Sequence, residues 1–182
     1  LVLGYHTPAA LTDDDLALRI LAYVLGGGQA SRLYQGVKER AGLVDTIGAS
    51  VDSFRDLGVF TIMAEHEPRN AAAALPAIQA EVERLRREPP ANAEMERART
   101  AIEFRYHQSR SEVLGQSAIL AYYESLGGHH LADELVERLH KVTAGDVLRV
   151  ARTHLALENA TLLAYLPEPA AAALPAPDPE GL

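Results

Sequence analysis

Hydrophobic and polar positions along the chain follow two periods, and the switches between them mark out the elements. Leu16, Ile20 and Val24 return at helical spacing with Leu21 and Leu25 beside them, predicting a broadly apolar, buried helix that opens at Thr12. Before it, Leu1 to His6 reads as a strand stopped by Thr7-Pro8, because a residue preceding proline avoids the helical region. After it, Val44 to Asp52 alternates, placing Asp45, Ile47, Ala49 and Val51 on one face of a strand. Val59 to Glu65 forms another, and the SFRDLG segment between them returns the chain as an antiparallel hairpin.

Helical spacing then resumes. Leu75, Ile78, Val82 and Leu85 predict a helix ending near Glu88-Pro89-Pro90, with Pro76 in its first turn or the helix starting later. A long helical region runs from Ala93 to Leu126, with a break expected around Ser109 to Glu112, and Gly127-Gly128 ends it. Leu131 to His140 is a short helix. Thr143-Ala-Gly-Asp146 is a capping-box variant opening another helix, with Val147, Val150, Ala151 and Leu155 facing inward. Thr161 to Leu166 is the final strand. The summed order, β-α-α-β-β-α-α-α-α-β, predicts an α+β fold: a small, largely antiparallel sheet with helices layered on one face, as a single domain over residues 1–166. From Pro167 onward the chain holds five of its ten prolines, so 167–182 is expected to be a Pro/Ala-rich linker or tail.

The stretch from Leu25 to Asp45, LGGGQASRLYQGVKERAGLVD, joins the first helix to the hairpin. Gly26, Gly27 and Gly28 are suited to ending a helix and turning the backbone. Ser31 is placed as an N-cap, Leu33 and Val37 lie one turn apart, and Gly42 sits just past the end of a second helix. The spacing is not that of a phosphate loop, since neither GK[ST] nor G-x-G-x-x-G is present.

Composition changes the picture mainly by exclusion. The 182 residues are 48% hydrophobic and 23% charged with a formal net charge of −8, a balance that argues against nucleic acid and anionic membranes as partners. No run of about 20 apolar residues predicts a membrane span. With no cysteine there is no disulfide, thiolate nucleophile or Cys-type zinc site, and the compartment stays undetermined. The opening LVLGY, without initiator methionine or signal-like segment, reads as the start of a fragment of a longer protein.

Candidate chemistry is sparse. The inverted zinc motif H-x-x-E-H and the nucleophile elbow G-x-S-x-G are both missing. None of the seven histidines has ligand spacing, and Asp13, Asp14 and Asp15 read as dipole-complementing residues of a first helical turn. No catalytic residue and no metal ligand is assigned.

The order of certain short segments nevertheless resembles a known family. GGG-x-x-SRL followed by a short helix and x-GL-x, Glu94-Met95-Glu96-Arg97-Ala98-Arg99, and Leu139 to Ala151 (LHKVTAGDVLRVA) are similar to the second domain of the pitrilysin/insulinase zinc peptidases, as is the opening strand with Gly4-Tyr5 and Thr7-Pro8. The similarity covers residues 1–167. It implies an endopeptidase whose two halves, each of two α+β domains, close around a chamber, with zinc on a helix of one first domain. The facing half of such enzymes contributes an Arg and a Tyr, seven residues apart, that hold the substrate peptide. The matching positions here are Lys38 and Asp45: lysine keeps the charge and loses the fork, and ionised aspartate only accepts hydrogen bonds.

By that resemblance the chain is expected to be a non-catalytic second domain, forming part of the substrate-chamber wall and packing on a zinc-bearing domain outside this sequence. Lys38 and Asp45 are its substrate-binding candidates. The Gly26–Gly28 loop is another, as a glycine-rich loop in this neighbourhood engages substrate in a processing-peptidase subunit. No cofactor is expected in this piece, with zinc in the N-terminal domain or a partner chain. The implied partners are that N-terminal domain, a second peptidase-family subunit as homo- or heterodimer, and the peptide substrate. The alternative is a structural or assembly subunit homologous to the peptidases but without a proteolytic role.

Overall fold

The computed structural model describes residues 1–165. Strands β1 (Val2–Thr7), β2 (Thr46–Ser53), β3 (Gly58–Glu65) and β4 (Ala160–Leu163) form one sheet in the order β2-β3-β1-β4, with every pairing antiparallel. The helices are α1 (Asp13–Gly26), α2 (Ala71–Arg87), α3 (Asn92–Ser111), α4 (Val113–Leu126), α5 (Leu135–Lys141) and α6 (Ala144–His154). The element order is thus the expected α+β succession, with one helix more. None of the described helices is long and apolar enough to cross a membrane.

Alternation along the strands decides which face is covered. Ile47, Ala49 and Val51 stand opposite Ala64, Ile62 and Phe60, and these last two stand opposite Leu3 and Tyr5. All eight belong to the core or pack against it. Helix α1 lies on this surface with Leu16, Ile20, Leu21, Val24 and Leu25 buried, each such side chain stabilising the fold by roughly 1.5–3 kcal/mol. Val147, Val150 and Ala151 of α6, with Leu155 just past it, close the same core. The Thr143–Asp146 capping box forms as expected, Asp146 N–H donating to Thr143 Oγ1 and Thr143 N–H to the Asp146 carboxylate.

The opposite face of the sheet is open. Cross-strand rows there run Gly48, Met63, Val2, Leu163 and then Ser50, Thr61, Gly4, Thr161. Met63 and Leu163 are 55% and 63% exposed. Glycine, serine and threonine therefore pave the middle row of this surface, flanked by the apolar row and by a row of Asp52, Val59 and His6.

Several local expectations give way to tertiary structure. The segment Tyr34–Arg40 is a π-helix, where an α-helix was expected. Ser31 does not cap it: its hydroxyl donates to the Gly28 carbonyl at 2.7 Å, which closes the glycine turn. Helix α2 begins at Ala71 after a 3-10 turn at Pro68–Asn70, so Pro76 lies in the helix interior beyond the first turn. The long helical region, by contrast, breaks where expected, with Glu112 extended between α3 and α4. The last strand ends at Leu163; Leu166 and the expected tail 167–182 lie outside the described residues.

Candidate functional site

Two of the sequence-derived candidates lie by strand β2, Gly26 against its middle and the Lys38–Asp45 pair just before its start. Gly26, the last residue of α1, meets the strand's middle. A Cβ there would lie 2.1 Å from the Ala49 nitrogen, so backbone packs directly on backbone. Gly27 is pinned under the Tyr23 ring, and its N–H donates to the Tyr23 carbonyl at 2.8 Å. Gly28 alone takes a left-handed φ of 85° and faces open space. The three glycines thus act as a helix stop and tight turn.

Lys38 and Asp45 do meet, at the start of β2, though not as two side chains aimed at a common ligand. Lys38 Nζ donates to the backbone carbonyl of Asp45 at 2.6 Å. The Asp45 side chain is exposed and precedes the strand instead of continuing its inner face. The same ammonium lies 5.1 Å from the centre of the Tyr34 ring, a cation–π distance. Desolvation, then the Glu39 carboxylate, pushes the Tyr34 phenol above its ordinary range. Tyr34 escaped sequence reading, although its separation of four residues from Lys38 is a usable signal of a shared helical face.

Behind this segment, Arg32 forms a two-pronged ion pair with Glu94 at the start of α3, at 2.8 and 2.9 Å. Glu94 also accepts the Ala91 N–H. The Arg32 guanidinium holds the Glu94 carboxyl below the usual range, against the opposing effect of burial, and the Ala91 N–H adds to it. Two of the motif segments singled out by sequence are therefore in direct contact.

The acidic first turn of α1 also does more than complement a dipole. Asp15 is buried, accepting the Ser53 hydroxyl at 2.7 Å and pairing with Arg19. Asp14 pairs with Arg149 and His154 of α6 at 2.7 and 2.8 Å. Burial would raise the Asp14 carboxyl, but bonds from His154 and Arg149 outweigh it and lower the value. Among the described residues, no group of three or more His, Asp or Glu side chains converges in a way that would hold a metal ion.

A four-stranded antiparallel sheet covered by helices on one side defines an α+β domain. The chain belongs to the peptidase M16 inactive-domain family, whose model matches residues 1–102. It is 29% identical over 155 residues to an uncharacterized zinc protease of Rickettsia bellii, covering 83% of this chain and 37% of that protein. A second such zinc protease, from Mycobacterium bovis, is 28% identical over 156 residues, covering 82% of this chain and 34% of its own length. This chain thus spans about a third of the curated relatives it matches. In fold it is similar to an inactive peptidase domain from Bordetella parapertussis, with a TM-score of 0.83, 24% identity, and 100% and 94% of the two chains covered. It is also similar to a protease from Helicobacter pylori, with a TM-score of 0.81 and 21% identity, covering 87% of this chain and 39% of that one.

Proposed function

We propose that this chain is the non-catalytic second domain of a zinc-dependent endopeptidase and that its open sheet face forms part of the wall of the substrate chamber. One observation carries the reading: helices cover only one side of the sheet, and the middle of the other side is a row of small residues, Ser50, Thr61, Gly4 and Thr161, next to an apolar row of Met63, Val2 and Leu163. Such a surface offers an unfolded peptide room and few obstacles. Zinc and the reacting groups belong to an N-terminal domain or partner subunit outside this sequence, a reading supported by relatives named as zinc proteases and more than twice as long.

In this reading Lys38 is a tether and not a substrate clamp. Its ammonium is engaged by the Asp45 carbonyl and the Tyr34 ring, and an ionised carboxylate at position 45 repels a peptide carbonyl. The glycine turn shapes the strand's surroundings through its close packing on Ala49.

This chain holds no cysteine, so an introduced one marks a single position within it once any cysteine elsewhere in the longer protein is replaced. In the longer native protein with zinc removed, a benzophenone carried on T61C or M63C is expected to crosslink to bound β-casein. The same label on E96C, an exposed helix position, is expected not to. Equal crosslinking from all three positions overturns the wall assignment. Metal analysis and a peptide-cleavage assay on this chain alone test the rest: stoichiometric zinc with chelator-sensitive turnover would show that the chain carries its own active centre.

A further inference from the structure

Between α1, β2, α3 and α4 lies a cleft of about 550 Å³ bordered by the glycine turn. Four of the chain's seven tyrosines line it, Tyr23, Tyr106, Tyr122 and Tyr123, with Arg19 and Arg105 and no carboxylate. The two arginines are not equivalent. Arg19 is matched by buried Asp15. Arg105 has no ion pair or side-chain hydrogen bond among the described residues, so it leaves an unmatched positive charge in a chain of net charge −8.

The tyrosines divide in the same way. Tyr106 donates its hydroxyl to the Ala132 carbonyl and Tyr122 to the Ser53 carbonyl. The Tyr123 ring is buried, while its hydroxyl, which makes no hydrogen bond among the described residues, is open to the solvent of the cleft. Burial pushes that phenol upward, so at neutral pH it remains a donor. A guanidinium fork and a phenolic O–H with nothing to bind form a donor set suited to a carboxylate, and Ile102 and Ile119 supply apolar wall beside them.

We propose that this cleft binds a carboxylate of a peptide, held by Arg105 and Tyr123, with the neighbouring apolar part of the peptide against Ile102 and Ile119. The inference rests on the reading that the domain handles peptides, but uses the helix-lined side of the edge strand, adjoining the open sheet face only at Ser50. The carboxylate can be a chain terminus or an acidic side chain, since both present the same two oxygens.

The test is fluorescence anisotropy of this chain with three labelled alanine–leucine hexapeptides. One has a free C-terminus, one is amidated, and one is amidated with an internal glutamate. Binding is expected for the first or third and not for the second, and which of them binds identifies the source of the carboxylate. R105Q, an exposed substitution, is expected to weaken binding roughly 10- to 100-fold, and Y123F, which removes an unbonded hydroxyl, roughly 3- to 10-fold. R87Q, on exposed α2, is expected to change nothing. Equal binding of the amidated neutral peptide, or R105Q binding like the parent chain, overturns the proposal. Failure of all three peptides to bind while T61C and M63C still crosslink casein removes the cleft alone; loss of both signals removes the peptide-handling reading itself.

Discussion

Arg32 and Glu94, sixty-two residues apart, face each other through two parallel hydrogen bonds of 2.8 and 2.9 Å, and this pair anchors the chain after the glycine turn to the first turn of α3. Both side chains are largely buried, so neither charge has water to fall back on if the other is removed.

Truncating one partner is therefore expected to be costly. E94A is predicted to destabilise the chain by about 3 kcal/mol in urea unfolding, while R32M combined with E94L recovers much of that loss. An E94A midpoint equal to the parent's would mean that the pair contributes nothing.

The same carboxylate predicts an acid limb. Its folded-state value is depressed below the ordinary 4.5, so its contribution is fully present above that pH and is lost as pH falls through the lower folded value. Melting temperature should drop below about pH 4.5, and E94Q should flatten that limb. An E94Q profile parallel to the parent's at acid pH would assign the limb to other groups.

Tyr5 predicts the alkaline side. Its ring is 1% exposed, its hydroxyl has no partner, and burial above all raises the phenol to about 12. The native state keeps this proton after the unfolded chain, with a value near 10, has released it, so stability falls as pH climbs from 10 towards 12. Y5F should remove that part of the alkaline loss and should be neutral or stabilising by up to about 1 kcal/mol at pH 7. A marked loss at pH 7 would reveal a partner for the hydroxyl.

The glycines of the turn should not be interchangeable. G26A places a methyl against the Ala49 backbone and is expected to cost about 2–3 kcal/mol, because the helix end must move off the strand. G28A meets no atom and suffers only its left-handed φ of 85°, costing about 1 kcal/mol. Chemical denaturation of the two variants ranks them; the reverse order would mean that backbone conformation outweighs packing in this turn.

Lys38 offers a contrast of side chain with main chain. Its partner is the Asp45 carbonyl, which survives any substitution of the aspartate. K38M should lower stability by about 1 kcal/mol while D45A stays within about 0.5 kcal/mol of the parent. Loss of equal size in both would place the interaction on the carboxylate.

Much of the fold is legible locally because single patterns decide it. The α1 apolar stripe, the alternation of β2 and β3, and the Thr143–Asp146 box each require only a few consecutive residues. What was not legible depends on partners far along the chain. Ser31 has the chemistry of a helix cap, yet its hydroxyl turns back to Gly28. Asp14 and Asp15 read as a charged first turn, but one reaches α6 and the other Ser53. The π-helix leaves no periodic trace in seven residues. The cleft is harder still, since Arg105 and Tyr123 sit on different helices and matter because of the bonds that they do not make.

The row of Ser50, Thr61, Gly4 and Thr161 presents almost no relief. For any polypeptide laid across it, there are few crevices by which one amino-acid order would be favoured over another. In the proposed chamber such a floor would hold a peptide without regard to its order, and any discrimination would fall to the rim.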